Sequence, residues 1–135
     1  MAKPPLHTTL TWAGDLRFQA SPSSVPLVID GKSAAGPSPV QALALALAGC
    51  MAVDVVDILV KGRHTLRAVS ADFSGDRAPE SPHRFLAITL HFRIEGNPPT
   101  HAVERAIALS HDKYCSVWHS MRQDIAFATT FEVMP

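Results

Sequence analysis

Between Phe85 and Ile94 every second residue is apolar. Leu86, Ile88, Leu90, Phe92 and Ile94 share one side, and Thr89, His91 and Arg93 share the other. A period of two marks a strand with one face in a core. Leu66–Phe73 reads as its partner, joined to it by a loop of turn residues from Ser74 to Pro82. Gly96-Asn97-Pro98-Pro99 ends the hairpin and opens a helix, with Asn97 or Thr100 as its cap. The stripe of that helix is Val103, Ala106, Ile107, Ser110 and Tyr114, the helical period. A short helical turn over 117–123 precedes a last strand over 126–133.

The first third of the chain is patterned differently. Residues 7–12, 17–19 and 26–29 read as short strands, broken by the hairpin turn Ala13-Gly14-Asp15 and by Ser21-Pro22-Ser23-Ser24. A loop from Gly31 to Pro37 follows. Ser38 then offers a capping hydroxyl and Pro39 sits where a missing N–H costs nothing, so a long helix is predicted to run to Lys61, with Gly62 as its left-handed cap. Ala42–Val53 is apolar nearly all round, which predicts a central helix wrapped by other elements. Strands packed around helices without βαβ alternation predict an α+β fold.

The length of 135 residues suits a single domain spanning 1–135. Lys and Arg total 12, as do Asp and Glu, so the formal charge is zero. That argues against nucleic acid or an anionic membrane as the main partner, since both need a clustered positive surface. It also removes repulsion that would oppose self-association. The apolar run Ala42–Val53 ends at Asp54 and is too short to span a bilayer. No secretory signal is read at the start, so a reducing, cytoplasmic setting is expected. Two cysteines there are buried thiols or a redox pair rather than a structural bridge.

Cys50 lies mid-helix in Leu47-Ala48-Gly49-Cys50-Met51, and Cys115 follows the second helix in Lys113-Tyr114-Cys115-Ser116-Val117. Both positions suit core cysteines equally well. Gly49 is costly inside a helix and marks a close approach by another element. His111, Cys115 and His119 have i, i+4 spacing, a weak metal pattern without a fourth ligand. Asp54 and Asp57 follow Cys50 on its side of the helix and read as structural, Asp57 pairing with Lys61. A reactive thiol in mid-helix has no N-terminal dipole to help it and needs a cation. Arg17 is the candidate, although by spacing alone it is a strand arginine.

Residues 38–56, Ser38-Pro39-Val40-Gln41 through Leu47-Ala48-Gly49-Cys50-Met51 to Val56, resemble the signature helix of the OsmC/Ohr family. The segment from Glu104 to Val117, which carries Ser110-His111-Asp112-Lys113-Tyr114-Cys115, resembles its second cysteine motif. Gly75-Asp76-Arg77 and the Trp12-to-Phe18 segment are most similar to the YhfA-type OsmC-like branch. The resemblance implies an intertwined α+β homodimer, its long central helix packed against antiparallel sheets, that reduces organic hydroperoxides without a cofactor or metal. It also implies that Cys50 is the peroxidatic thiolate, Cys115 the resolving thiol and Arg17 the stabilising cation. The reductant it implies is a dithiol, lipoyl-type or a low-molecular-weight thiol. One departure stands out: Val40 and Gln41 occupy the places where the family has a glutamate that orients the arginine. Gln41 can accept a hydrogen bond from Arg17, but without the charge. It also lies about 13 Å along the helix from Cys50. Two alternatives stay open: a non-peroxidase thiol protein (redox sensor or sulfur carrier), and a module binding a small apolar ligand.

Overall fold

A computed structural model describes residues 3–21 and 26–135. The chain forms two compact units, Met1–Ala44 and Leu45–Pro135.

The first unit holds β1 (Thr9–Trp12), β2 (Arg17–Ser21) and β3 (Val28–Asp30), an antiparallel sheet in that order. The hairpin turn falls at Ala13-Gly14-Asp15 as expected. Gly14 and Asp15 take positive φ of 93° and 49°, the left-handed geometry that glycine and aspartate tolerate. The second expected break, over 21–24, lies largely outside the described residues. The loop after β3 is organised by Asp30, only 2% exposed. Its carboxylate accepts the backbone N–H groups of Lys32 (2.9 Å), Ala34 (3.2 Å) and Ala35 (2.8 Å). Those amides, Ala35 foremost, hold the Asp30 carboxyl below the usual carboxylate range, and the Arg17 charge adds to them.

Helix α1 (Pro39–Lys61) opens on a reciprocal cap. The Gln41 N–H donates to Ser38 Oγ at 3.2 Å, while the Ser38 N–H donates to Gln41 Oε1 at 3.0 Å. At the other end the left-handed residue is Arg63 (φ 65°), not Gly62. The His64 N–H reaches the Leu59 carbonyl at 3.1 Å and the Arg63 N–H reaches Val60 at 2.9 Å, a Schellman closure that begins one residue later than expected.

The second unit contains β4 (Leu66–Arg77), β5 (Phe85–Gly96), α2 (Thr100–Leu109), a π-turn (Ser110–Tyr114), α3 (Ser116–His119) and β6 (Ala126–Met134). The sheet order is β4-β5-β6, with β5 central. Three expectations are corrected here. β4 does not stop at Phe73: Ser74, Gly75 and Asp76 pair with Thr89, Ile88 and Ala87. A side chain at Gly75 would lie 2.6 Å from the Phe85 ring, so the glycine makes room for the edge-to-face Phe73–Phe85 pair at 5.4 Å. Secondly, the second sheet is not wholly antiparallel: β6 runs parallel to β5, so β5, α2 and β6 do form one βαβ crossover. Thirdly, neither Asn97 nor Thr100 caps α2. Pro99 holds that place, and the Asn97 carboxamide instead accepts the Thr65 N–H at 2.9 Å.

The core sets Leu47, Met51, Val55 and Leu59 of α1 with Ile88, Leu90, Phe92 and Ile94 of β5 and Val103, Ala106 and Ile107 of α2. Leu86 leaves the predicted face and is 40% exposed. Within a single chain α1 is covered on one side only. Leu45, Val53 and Val60 are 63%, 67% and 55% exposed, and a Cβ at Gly49 would meet nothing within 4 Å. The helix also exceeds the expected apolar length. Its most apolar 18-residue window has a mean hydropathy of 2.3, enough to cross a membrane by length and composition alone. Its inward face, however, packs as a core helix packs.

Candidate functional site

The two thiols are brought together by α1 and the turn that follows α2. Continued as an α-helix, the α2 stripe of Val103, Ala106, Ile107 and Ser110 would bury Tyr114. Instead the Cys115 N–H donates to the Ser110 carbonyl at 2.8 Å, a five-residue step. The extra residue shifts the phase by one. Tyr114 turns outward, half exposed, and Cys115 takes its place, fully buried.

Cys115 then caps α3, its Sγ accepting the Trp118 N–H at 3.3 Å. Trp118 packs on Phe127, with ring centroids 4.6 Å apart, and on His111 at 5.7 Å. Both cysteines are free thiols, and Cys50 is half-buried. The two thiols are neighbours. Burial pushes the Cys115 thiol up to about 11; the Trp118 amide opposes this, and the neighbouring Cys50 adds to it. At neutral pH Cys115 is a protonated thiol.

Asp54 and Asp57 have the structural roles expected of them. Asp57 pairs with Lys61 at 2.9 Å on the surface. Asp54 accepts the hydroxyl of buried Ser110 at 2.8 Å, joining α1 to the π-turn. Sequence reasoning missed Ser110 as more than a stripe residue. The available signal was a hydroxyl among apolar neighbours, which needs a partner once buried. It missed Asp30 as well, although Asp followed by Gly at a strand end is a turn signal.

The His111, Cys115 and His119 pattern does not converge. His119 Nε2 bonds the His111 carbonyl at 2.9 Å and His111 Nδ1 bonds Asp112 at 2.8 Å. No group of metal-ligating side chains occurs among the described residues.

Arg17 and Gln41 belong to the first unit. Arg17 stands opposite Asp30 in the β2–β3 register. Gln41 Oε1 already accepts both the Ser38 N–H and the Ser33 hydroxyl (2.9 Å), which fills its two lone pairs. Gln41 is thus a helix-cap residue here, with no acceptor site left for Arg17.

A mixed helix–sheet fold with a long helix, two small sheets and two neighbouring free thiols defines the class. The chain belongs to the OsmC-like protein family, whose model matches residues 30–130. It is 34% identical to Protein YhfA of Escherichia coli K12 over 132 residues, covering 96% of this chain and 98% of that one. Among solved structures it resembles a hypothetical protein from Aquifex aeolicus VF5 (TM-score 0.89, 24% identity, 97% of each chain). It also resembles the organic hydroperoxide resistance protein OhrB of Bacillus subtilis (TM-score 0.62, 12% identity, 94% of this chain and 98% of that one). At these identities the structural likeness is one of fold.

Proposed function

We propose that the protein is a thiol peroxidase for organic hydroperoxides, working in the cytoplasm as a homodimer, with its two units acting as one domain. The observation that carries this reading is the thiol pair: a half-buried Cys50 neighbouring a fully buried, protonated Cys115. The Cys50 thiolate attacks the peroxide and breaks its O–O bond. With one proton taken up, the alcohol leaves and Cys50 becomes a sulfenic acid. Cys115 then attacks the sulfenic sulfur, forming a disulfide and releasing water. A dithiol, lipoyl-type or of low molecular weight, returns both thiols by exchange and leaves as its own disulfide.

Arg17 is the proposed thiolate-stabilising cation, and Asp30, opposite it in the β2–β3 register, supplies the negative charge that Val40 and Gln41 do not. The apolar surroundings favour fatty or aromatic peroxides. That OhrB is by name an organic hydroperoxide resistance protein agrees with the reading.

Substoichiometric cumene hydroperoxide should lower the intact mass by two units through an internal disulfide, and dihydrolipoamide should sustain turnover. Cys115→Ser should stop at a sulfenic acid trapped by dimedone, and Cys50→Ser should react with neither reagent. Arg17→Ala should slow the peroxide step at pH 7 by about tenfold or more, because a guanidinium favours the attacking anion over the neutral thiol. Gln41→Glu should leave it unchanged or faster. Wild-type speed in Cys50→Ser would overturn the assignment.

A further inference from the structure

We infer that the Asp54–Ser110 hydrogen bond is the latch that sets the two thiols for bond formation, making Asp54 and Ser110 positioning residues. The inference rests on the dithiol reading above. Asp54 lies one turn beyond Cys50 on α1. Ser110 is fully buried and spends both halves of its chemistry on this geometry. Its hydroxyl donates to Asp54 Oδ2 at 2.8 Å, and its carbonyl receives the Cys115 N–H at 2.8 Å. Its own N–H stays in the α2 ladder, bonding the Ala106 and Ile107 carbonyls.

One residue therefore ties the cysteine-bearing helix to the turn that carries the second thiol. It does so where the helix departs from α geometry and brings Cys115 inward in place of Tyr114. A π-turn is held by its surroundings rather than by its own ladder. Without the latch, the turn is free to relax to α, which would rotate Cys115 outward and away from its neighbour Cys50. A disulfide tolerates Cα separations only up to about 7 Å, so a small rotation is enough to block it.

The latch can be read without peroxide. In the reduced protein, Ellman's reagent (5,5′-dithiobis(2-nitrobenzoic acid)) forms a mixed disulfide at Cys50, releasing one thionitrobenzoate. Cys115 then attacks the Cys50 sulfur, giving the internal disulfide, a second thionitrobenzoate and a proton to solvent. Ser110→Ala and Asp54→Ala should keep the first phase within about twofold of wild type and slow the second by about tenfold or more. Asp54→Asn retains an oxygen acceptor and should restore the second phase to within about threefold. Equal second phases in all four proteins would overturn the inference, as would Asp54→Asn slowing as much as Asp54→Ala. If Ser110→Ala fails to fold, the two Asp54 variants decide, because that side chain leaves from a regular helix. A wild type inert to hydroperoxide but showing these exchange rates would sink the peroxidase reading and leave the latch standing.

Discussion

Cys50 and Cys115 differ less in chemistry than in surroundings. Desolvation acts on Cys115 because the π-turn buries it, and the Trp118 amide offsets only part of that cost. The sign follows directly. A thiol titrating near 11 in the fold and near 9 unfolded stabilises the native state below about pH 9, and that stability is lost as the pH rises toward 11. The same shift makes Cys115 a slow nucleophile. Iodoacetamide should alkylate Cys115 in Cys50→Ser at least about tenfold more slowly at pH 8 than it alkylates Cys50 in Cys115→Ser. The logarithm of the Cys115 rate should still climb at pH 10, and a plateau below pH 9 would contradict the burial argument. Both cysteines were visible as candidates in the sequence; which of them is buried was not. The periodicity of α2 pointed to Tyr114 as the inward residue, and the π-turn reversed that.

Helix boundaries were legible where local chemistry sets them and obscure where partners do. Ser38 and Pro39 announced the start of α1, and the structure adds the reciprocal bonds between Ser38 and Gln41. Gln41→Ala should therefore destabilise the protein in urea by about 1 kcal/mol, the ordinary worth of such a cap. Gln41→Glu should be neutral or stabilising, because it keeps the bond and places a negative charge at the positive end of the helix dipole. Equal stability of Gln41→Ala and wild type would deny the cap. Strand β4 illustrates the opposite case. Ser74-Gly75-Asp76-Arg77 has turn composition, yet it extends the strand because β5 offers paired backbone along its whole length and Gly75 admits two phenyl rings. β-pairing is decided by the partner strand, so composition alone misreads it.

The exposed side of α1 has consequences for the molecule as a whole. Ala46, Gly49, Val53, Val56 and Val60 repeat at alternating three- and four-residue steps along the face away from the core. Beside Val53, Val56 and Val60 an apolar groove of about 470 Å³ runs to Val69. In the first unit, Leu10, Trp12, Leu16 and Leu27 are also about half exposed or more, and Asp30 is that unit's one buried residue among those described. Apolar surface of this extent suits a large obligate interface. Light scattering should give a dimer at micromolar concentration, and Val53→Lys should weaken it; a wild-type monomer would remove the basis of the proposed assembly. From its own letters the chain determined the strands of the second sheet, the long apolar helix, both cysteines and the α+β class, because alternation, helical period and caps are local codes. Tertiary structure alone decided which thiol is buried, where β4 ends, that β6 runs parallel to β5, and that Asp54 holds Ser110. Each of these depends on a partner distant in sequence, whose backbone groups or ring faces no local pattern contains.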